Sequence, residues 1–182
     1  VEIVAGEPEL VVERRDEALF IHFCQDIGEG EVAVWPETAT RFRVIQIRDE
    51  HRRVARITGR DGLLVPMAAS RKVLAAIGNI ASFMTVHSSI EMPGEGLPAE
   101  AVDSDATPHV HIIPYGSGFR IEMFVRPFTS GGPYLKPGAG VANLVTEIDG
   151  RRYRTRRNLK LEAARAREIE ESCPMLDLAI DY

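Results

Sequence analysis

Hydrophobic positions in the first half of the chain come in short runs rather than long stripes. Glu9-Leu10-Val11-Val12, Ala18 to Cys24, Val32-Ala33-Val34-Trp35 and Phe42 to Ile47 are rich in β-branched and aromatic residues, which suit a pleated, half-buried surface. Arg15-Asp16, Gly28-Glu29-Gly30 and Pro36 separate these runs, so the pattern predicts an antiparallel meander of short strands. The period then changes. Asp49 opens a short helical stretch to about Ile57, and Pro66 starts a segment from Met67 to Phe83 in which Val73, Ile77, Ile80 and Met84 recur at helical spacing. That spacing predicts a helix with one buried stripe.

Residues 91–108 contain three prolines, five acids and no aromatic residue. This composition predicts a long acidic loop or linker between a strand-rich lobe of residues 1–90 and a second lobe of residues 109–182, unless the two form one integrated domain. In the second lobe, His109 to Tyr115 and Phe119 to Arg126 flank Gly116-Ser117-Gly118 as a hairpin, with Phe119, Ile121, Met123 and Val125 alternating onto one face. Asp149-Gly150 sits between Leu144 to Ile148 and Arg151 to Arg157. It is the preferred two-residue hairpin turn, because both central residues need positive φ. Asn158 then caps a helix from about Leu159 to Ser172, with Leu159, Ala163, Ala166, Ile169 and Cys173 on one stripe and Pro174 marking its end. Together these elements predict an α+β fold of mainly antiparallel strands and hairpins, with one mid-chain helix and one carboxy-terminal helix. There is no internal repeat.

Composition narrows the class. With 182 residues, 45% hydrophobic and 27% charged, the chain matches an ordinary soluble protein able to bury roughly 70% of its unfolded surface. No apolar run approaches the ~20 residues of a membrane span, and the amino terminus has neither a basic region nor a cleavage site, so a cytoplasmic location with no membrane contact is expected. The chain enters a strand-like pattern directly at Val1, which suggests a piece of a longer polypeptide. Cys24 and Cys173 lie far apart without metal-ligand spacing and read as reduced core or helix-end residues.

Charge is unevenly placed. The net charge is −5, and residues 1–31 hold nine acids against Arg14 and Arg15. Residues 151–167 reverse this: Arg151, Arg152, Arg154, Arg156, Arg157, Lys160, Arg165 and Arg167 face Glu162 alone. Strand alternation puts Arg152, Arg154 and Arg156 on one face and Arg151, Tyr153, Thr155 and Arg157 on the other. Such a row, about 13 Å long at ~3.3 Å per residue, suits a phosphate backbone, since a guanidinium fork pairs two phosphate oxygens. The plainer reading is a solvated strand face, or a patch that pairs with the acids of residues 1–31 or 91–108; docking on a protein is the further alternative.

Other motifs fall short of a catalytic set. The loop Gly131 to Gly140 lacks a P-loop ending, since Lys136 is followed by Pro137, and it precedes a strand rather than a helix. It reads as a conformationally demanding connection, with Tyr134, between Pro133 and Pro137, as a candidate stacking or docking residue and Lys136 beside it. His109 and His111 alternate on a strand, with His87 as a conceivable third zinc ligand. Nothing in the spacing fixes that third ligand and no HExxH motif accompanies the pair, so the preferred reading is hydrogen-bonded or surface histidines, with no metal and no cofactor. Asp49-Glu50-His51-Arg52 after an apolar run is similar to a nucleotidase acidic box but has no P-loop upstream.

Several segments, taken in order, carry a family likeness. Val1 to Glu13, Leu63-Leu64-Val65-Pro66, Thr85-Val86-His87-Ser88, Pro108 to Pro114, Val125-Arg126-Pro127-Phe128 with Gly132-Pro133-Tyr134, and Asp149-Gly150-Arg151 through Cys173-Pro174 resemble a region upstream of the motor in very large bacterial Swi/Snf-type helicases. The likeness covers most of the chain. It implies a parent superfamily-two ATPase whose DEAD/DEAH-like motor follows this segment. ATP binding and hydrolysis are implied for the parent only, because the segment matches none of the motor motifs and no catalytic residue carries over. The expected role is a non-catalytic accessory domain that contacts DNA or RNA, or docks on the ATPase motor of the same polypeptide, through Arg151, Arg152, Arg154, Arg156, Arg157, Lys160, Tyr134 and Lys136. The rival expectation is a protein-interaction or architectural module without nucleic-acid contact; a metal-dependent hydrolase using His87, His109 and His111 ranks last.

Overall fold

The structure is a computed structural model that describes residues 1–90 and 99–173. Its first half runs β1 (Glu2–Gly6), β2 (Glu9–Arg15), β3 (Ala18–Phe23), β4 (Val32–Pro36), β5 (Arg41–Gln46), α1 (Asp49–Thr58), β6 (Leu63–Pro66), α2 (Ser70–Ile80) and β7 (Thr85–Ser88). The second half runs β8 (Glu100–Ala101), β9 (Pro108–Tyr115), β10 (Gly118–Val125), β11 (Asn143–Ile148), β12 (Arg151–Arg156) and α3 (Leu159–Ser172). The fold is α+β with three helices among the described residues, and α1 is the short helical stretch expected from Asp49 to about Ile57. No helix among the described residues is long and apolar enough to cross a membrane.

The sheets are mixed, not mainly antiparallel. Seven strands lie in the order β6-β3-β2-β7-β11-β12-β8, with β2–β7 and β12–β8 parallel. β7 reaches the side of β2 only after a crossover through α1, β6 and α2, the kind of connection that parallel neighbours require. β4 and β5 leave this sheet altogether. They join β1 in a three-stranded sheet, β1-β5-β4, in which β1 runs parallel to β5. The expected meander therefore breaks after β3. Its reason lies in Arg41 and Arg43, which alternate with Phe42 and Val44; a strand that turns two arginines inward does not fit an apolar core.

One face of the large sheet carries the main core. Leu10, Val12, Leu19, Ile21, Val65, Val86 and Val145 are buried there against Ile77, Ala81 and Met84. Val73 and Ile80 pack at its margin, so the helical stripe read from the sequence is the one used. The helix itself is shorter than residues 67–83: Met67–Ala69 form a 3-10 turn, and Ala81 closes the last turn. The other face holds a smaller cluster of Leu144, Ile148 and Phe128, with Tyr153 and Leu135 against it.

Residues 99–108, expected as linker, are partly built into the sheet. β8 pairs with β12, the Val102 amide donates to the Arg154 carbonyl, and the Thr155 hydroxyl donates to the Val102 carbonyl at 2.8 Å. Strands from residues 1–90 and from residues 99–173 thus lie side by side in one sheet. The rest of the acidic stretch, 91–98, and Pro174 lie outside the described residues. Local signals in the second half hold: Asp149 and Gly150 have φ of 51° and 76°, and Asn158 accepts the Leu161 amide at 3.1 Å as the cap of α3. The cysteines are both exposed, so Cys24 is not a core residue, whereas Cys173 does end a helix.

α3 lies close against the loop before β11. A Cβ on Gly138 would stand 2.6 Å from the Ala163 Cβ and 3.1 Å from the Leu159 carbonyl oxygen, and the Gly138 φ is +69°. Gly138→Ala should therefore cost at least about 1–3 kcal/mol through overpacking and a left-handed backbone, measured as a lower urea midpoint with unchanged m-value.

Candidate functional site

A buried layer of charge joins the three-stranded sheet to the large one. Glu9 on β2 and His87 on β7 point from the face opposite the main core, and the His87 Nε2 donates to Glu9 Oε2 at 2.9 Å. From β5, Arg43 pairs with both Glu9 and Glu37, and Arg41 pairs with Glu37 and Glu2. Glu9, Arg41, Arg43 and His87 are all buried. Gly6 leaves the space that the Arg43 side chain occupies, since a Cβ there would collide with the arginine's aliphatic stem. Beside this layer, the Thr85 and Thr146 hydroxyls bond to each other at 2.9 Å. Burial by itself pushes the Glu9 carboxyl up, but His87 and Arg43 outweigh that and hold it at about 2.

The arginine hairpin divides into paired and free members. Arg152, Arg154 and Arg156 share a face with Val145 and Val86, the face that carries the main core, and they continue it beyond the part that α2 covers. Arg152 is drawn inward: its guanidinium grips Glu7 at 2.5 and 2.8 Å and donates to the Met84 carbonyl at 3.0 Å. Desolvation raises the Glu7 carboxyl above its ordinary range, with Arg152 opposing. On the other face, Arg157 is buried against Glu162, which has no exposed surface, and it also donates to the carbonyls of Ala139 and Lys136. Arg157 is therefore a structural lock between β12, α3 and the glycine-rich loop rather than a contact residue. Among the described residues, Arg151, Arg154, Arg156 and Lys160 make no side-chain hydrogen bond or ion pair; Arg151, Arg156 and Lys160 are exposed and Arg154 is half-buried.

Tyr134 does not offer a stacking face. Its ring is sandwiched between Phe124, with centroids 4.4 Å apart, and the Arg41 guanidinium, 4.0 Å from the centroid, while its amide donates to Glu37 at 2.8 Å. Lys136 is exposed on the same loop. The three histidines are not a set: His87 belongs to the ionic layer, whereas His109 and His111 flank Phe124 on the β9–β10 ribbon. His51 accepts the Arg48 amide and donates to the Phe83 carbonyl, so the acidic-box stretch serves to cap α1 and tie it down. An open cleft of about 590 Å³ between β1 and the β11–β12 turn is lined by Glu7, Arg48, His51 and Glu147, among others. The buried polar residues of its lining, Arg41, Arg43, His51, Thr85 and Thr146, are already bonded within the protein, as is the half-buried Glu7.

Pairing of the arginine row with the acids of residues 1–31, one of the alternatives read from the sequence, is met by Arg152 and Glu7, but sequence reading missed Glu9, Glu37, Arg41, Arg43 and Glu162 as members of the other ion pairs. The strict alternation Arg41-Phe42-Arg43-Val44 carries a signal, but a strand pattern does not say which face is inward, and the usual rule turns arginine outward. No protein-family model, curated protein or solved structure matches the chain.

Two consequences are measurable. The Glu9 carboxyl sits at about 2 in the folded protein against an ordinary 4.5. Its stabilising contribution is thus complete above pH 4.5 and fades as pH falls toward 2. Urea unfolding of wild type and Glu9→Gln across this range should show the gap between them narrowing as pH drops. Arg157→Ala leaves Glu162 buried without its partner and should cost about 3–5 kcal/mol at neutral pH, read from the same unfolding curves.

Proposed function

We propose that this chain is a non-catalytic accessory domain of a bacterial Swi/Snf-type helicase-like ATPase, and that it touches the phosphate backbone of nucleic acid through the outer part of its arginine hairpin. Resemblance along most of the chain supports the parent. Support for the contact comes from one observation: Arg154, Arg156 and Lys160 follow one another from the end of β12 into the start of α3, and none has an internal side-chain partner among the described residues. Free guanidiniums and an ammonium neutralise phosphates without reading sequence. Arg152 and Arg157, which the sequence alone places in the same contact set, have internal duties instead, and Tyr134 acts as a spacer between sheets.

A second reading draws on a different observation. Arg152 is already gripped by an acid 145 positions away in the chain, so this hairpin demonstrably recruits carboxylates. On that reading the free members complete the same pattern with acids of the motor or another protein, and the domain is architectural.

Anisotropy of a labelled oligonucleotide at two salt concentrations separates the readings. Backbone contact by Arg154, Arg156 and Lys160 gives weak, sequence-independent binding with a log-log salt slope near −3 on duplex, about −0.9 per phosphate contact. Replacing the three with Ser should abolish binding and leave stability within about 0.5 kcal/mol. Absence of binding at low salt rejects the nucleic-acid reading in favour of docking.

A further inference from the structure

The cleft beside β1 has its buried polar residues bonded within the protein; a second cleft does not. It measures about 780 Å³ and lies between the loop after β3 and the last turns of α1, with Phe23, Gln25, Ile27, Arg52, Arg56 and Arg60 in its lining. That volume is within the roughly 300–1,000 Å³ of small-molecule sites. Gln25 is 6% exposed, and its Oε1 accepts the Glu9 amide at 2.9 Å, which fixes the other end of the side-chain amide as the nitrogen. This nitrogen is buried and has no hydrogen-bond partner among the described residues. A buried donor left without an acceptor is destabilising, so Gln25 gives the cleft a group that a ligand oxygen would satisfy.

The arginines decide what kind of ligand that is. Arg52 and Arg56 stand one turn apart on α1, and Arg60 follows Gly59, whose φ of 70° turns the chain at the helix end. Arg52 is held by Asp49 at 3.0 Å and by the carbonyls of Glu29 and Gly30 at 3.2 Å. Arg56 has no side-chain partner among the described residues, and Arg60 reaches Asp26 only at 3.9 Å, in a pair whose two members are largely exposed. Such a pair contributes little and yields to a better acceptor. Asp26 and Glu29 are the carboxylates of the lining, two against three guanidiniums, so the cleft keeps a positive charge. Phe23, Ile27 and Ala55 add an apolar wall. We propose that this cleft binds a small organic anion, a carboxylate or phosphate monoester on an apolar body, with its oxygens taken by Arg56, Arg60 and the Gln25 amide. The site is separate from the arginine hairpin and does not depend on the nucleic-acid reading.

Phenyl phosphate and benzoate are the probes, with inorganic phosphate as the control that lacks the apolar body and benzyl alcohol as the one that lacks the charge. Titrated into isotope-labelled protein and followed by NMR, at least one of the two aromatic anions should shift the Gln25 side-chain amide and the Arg56 backbone amide saturably, and the tighter of the two identifies the headgroup. Benzyl alcohol should leave both signals in place. Inorganic phosphate should bind at least about tenfold more weakly than the better anion, because it buries no apolar surface. Arg56→Gln/Arg60→Gln, at two exposed positions, should weaken binding at least about tenfold through lost charge-assisted hydrogen bonds, with the melting temperature unchanged. Failure of both anions to shift the two signals saturably overturns the proposal, and so does undiminished binding by the double variant. Inorganic phosphate binding as tightly as the aromatic anions also overturns it, since the cleft would then be a charged surface and not a site for an organic anion.

Discussion

A buried chain of alternating charges, Arg41–Glu37–Arg43–Glu9–His87, which the exposed Glu2 joins at its outer end, is the constraint on which the rest of the molecule depends. Charges removed from water are tolerated only when each finds a partner, and a lost partner costs far more than the pair contributes. β5 must therefore enter with both arginines inward and at one register, because Arg43 has to reach Glu9 and Glu37 together. A slip of one residue would expose both guanidiniums and bury Phe42 and Val44 against carboxylates. The layer works less as glue than as a key that allows one seating of the small sheet on the large one.

Period-two alternation then dictates the outside. Once Arg41 and Arg43 face in, Phe42 and Val44 face out, and their neighbours Ile3 and Val34 follow by register. The apolar outer face is thus the direct consequence of the charged inner one. Tyr134 belongs to the same arrangement. Its ring fills the space between Arg41 and Phe124, where it joins the glycine-rich loop, β5 and the β9–β10 ribbon. A tyrosine flanked by two prolines resembles an exposed ligand-contact residue in sequence, but here a guanidinium needing an aromatic face has claimed it.

The arginine hairpin shows the same competition among carboxylates. Five arginines in seven residues look alike along the strand, yet two of them, Arg152 with the half-buried Glu7 and Arg157 with the buried Glu162, are committed to internal ion pairs. Glu162, five residues after Arg157, is the best-buried charge in α3, on a helix whose apolar residues were expected to do the packing. Only the members that project past these acids keep a free head. A cluster of positive charge in a chain is therefore a supply of cations, and the fold decides how many of them reach solvent.

What the sequence by itself determined was local. The strand runs of the first half, the helical stripe through Ile77, the Asp149-Gly150 turn and the Asn158 cap all rest on propensity, periodicity or backbone conformation within a few residues, and each stands where the pattern puts it. Tertiary structure alone decided which strands pair, and hence that the sheets are mixed, that Glu100–Ala101 of an acidic, proline-spaced stretch joins β12, and that β4 and β5 leave the main sheet. It also decided which face of β5 is inside and which arginines are free. Those outcomes turn on contacts between residues far apart in the chain, Glu9 with Arg43 and Glu7 with Arg152, whose energy is set by shared burial, and burial exists only once the chain has folded.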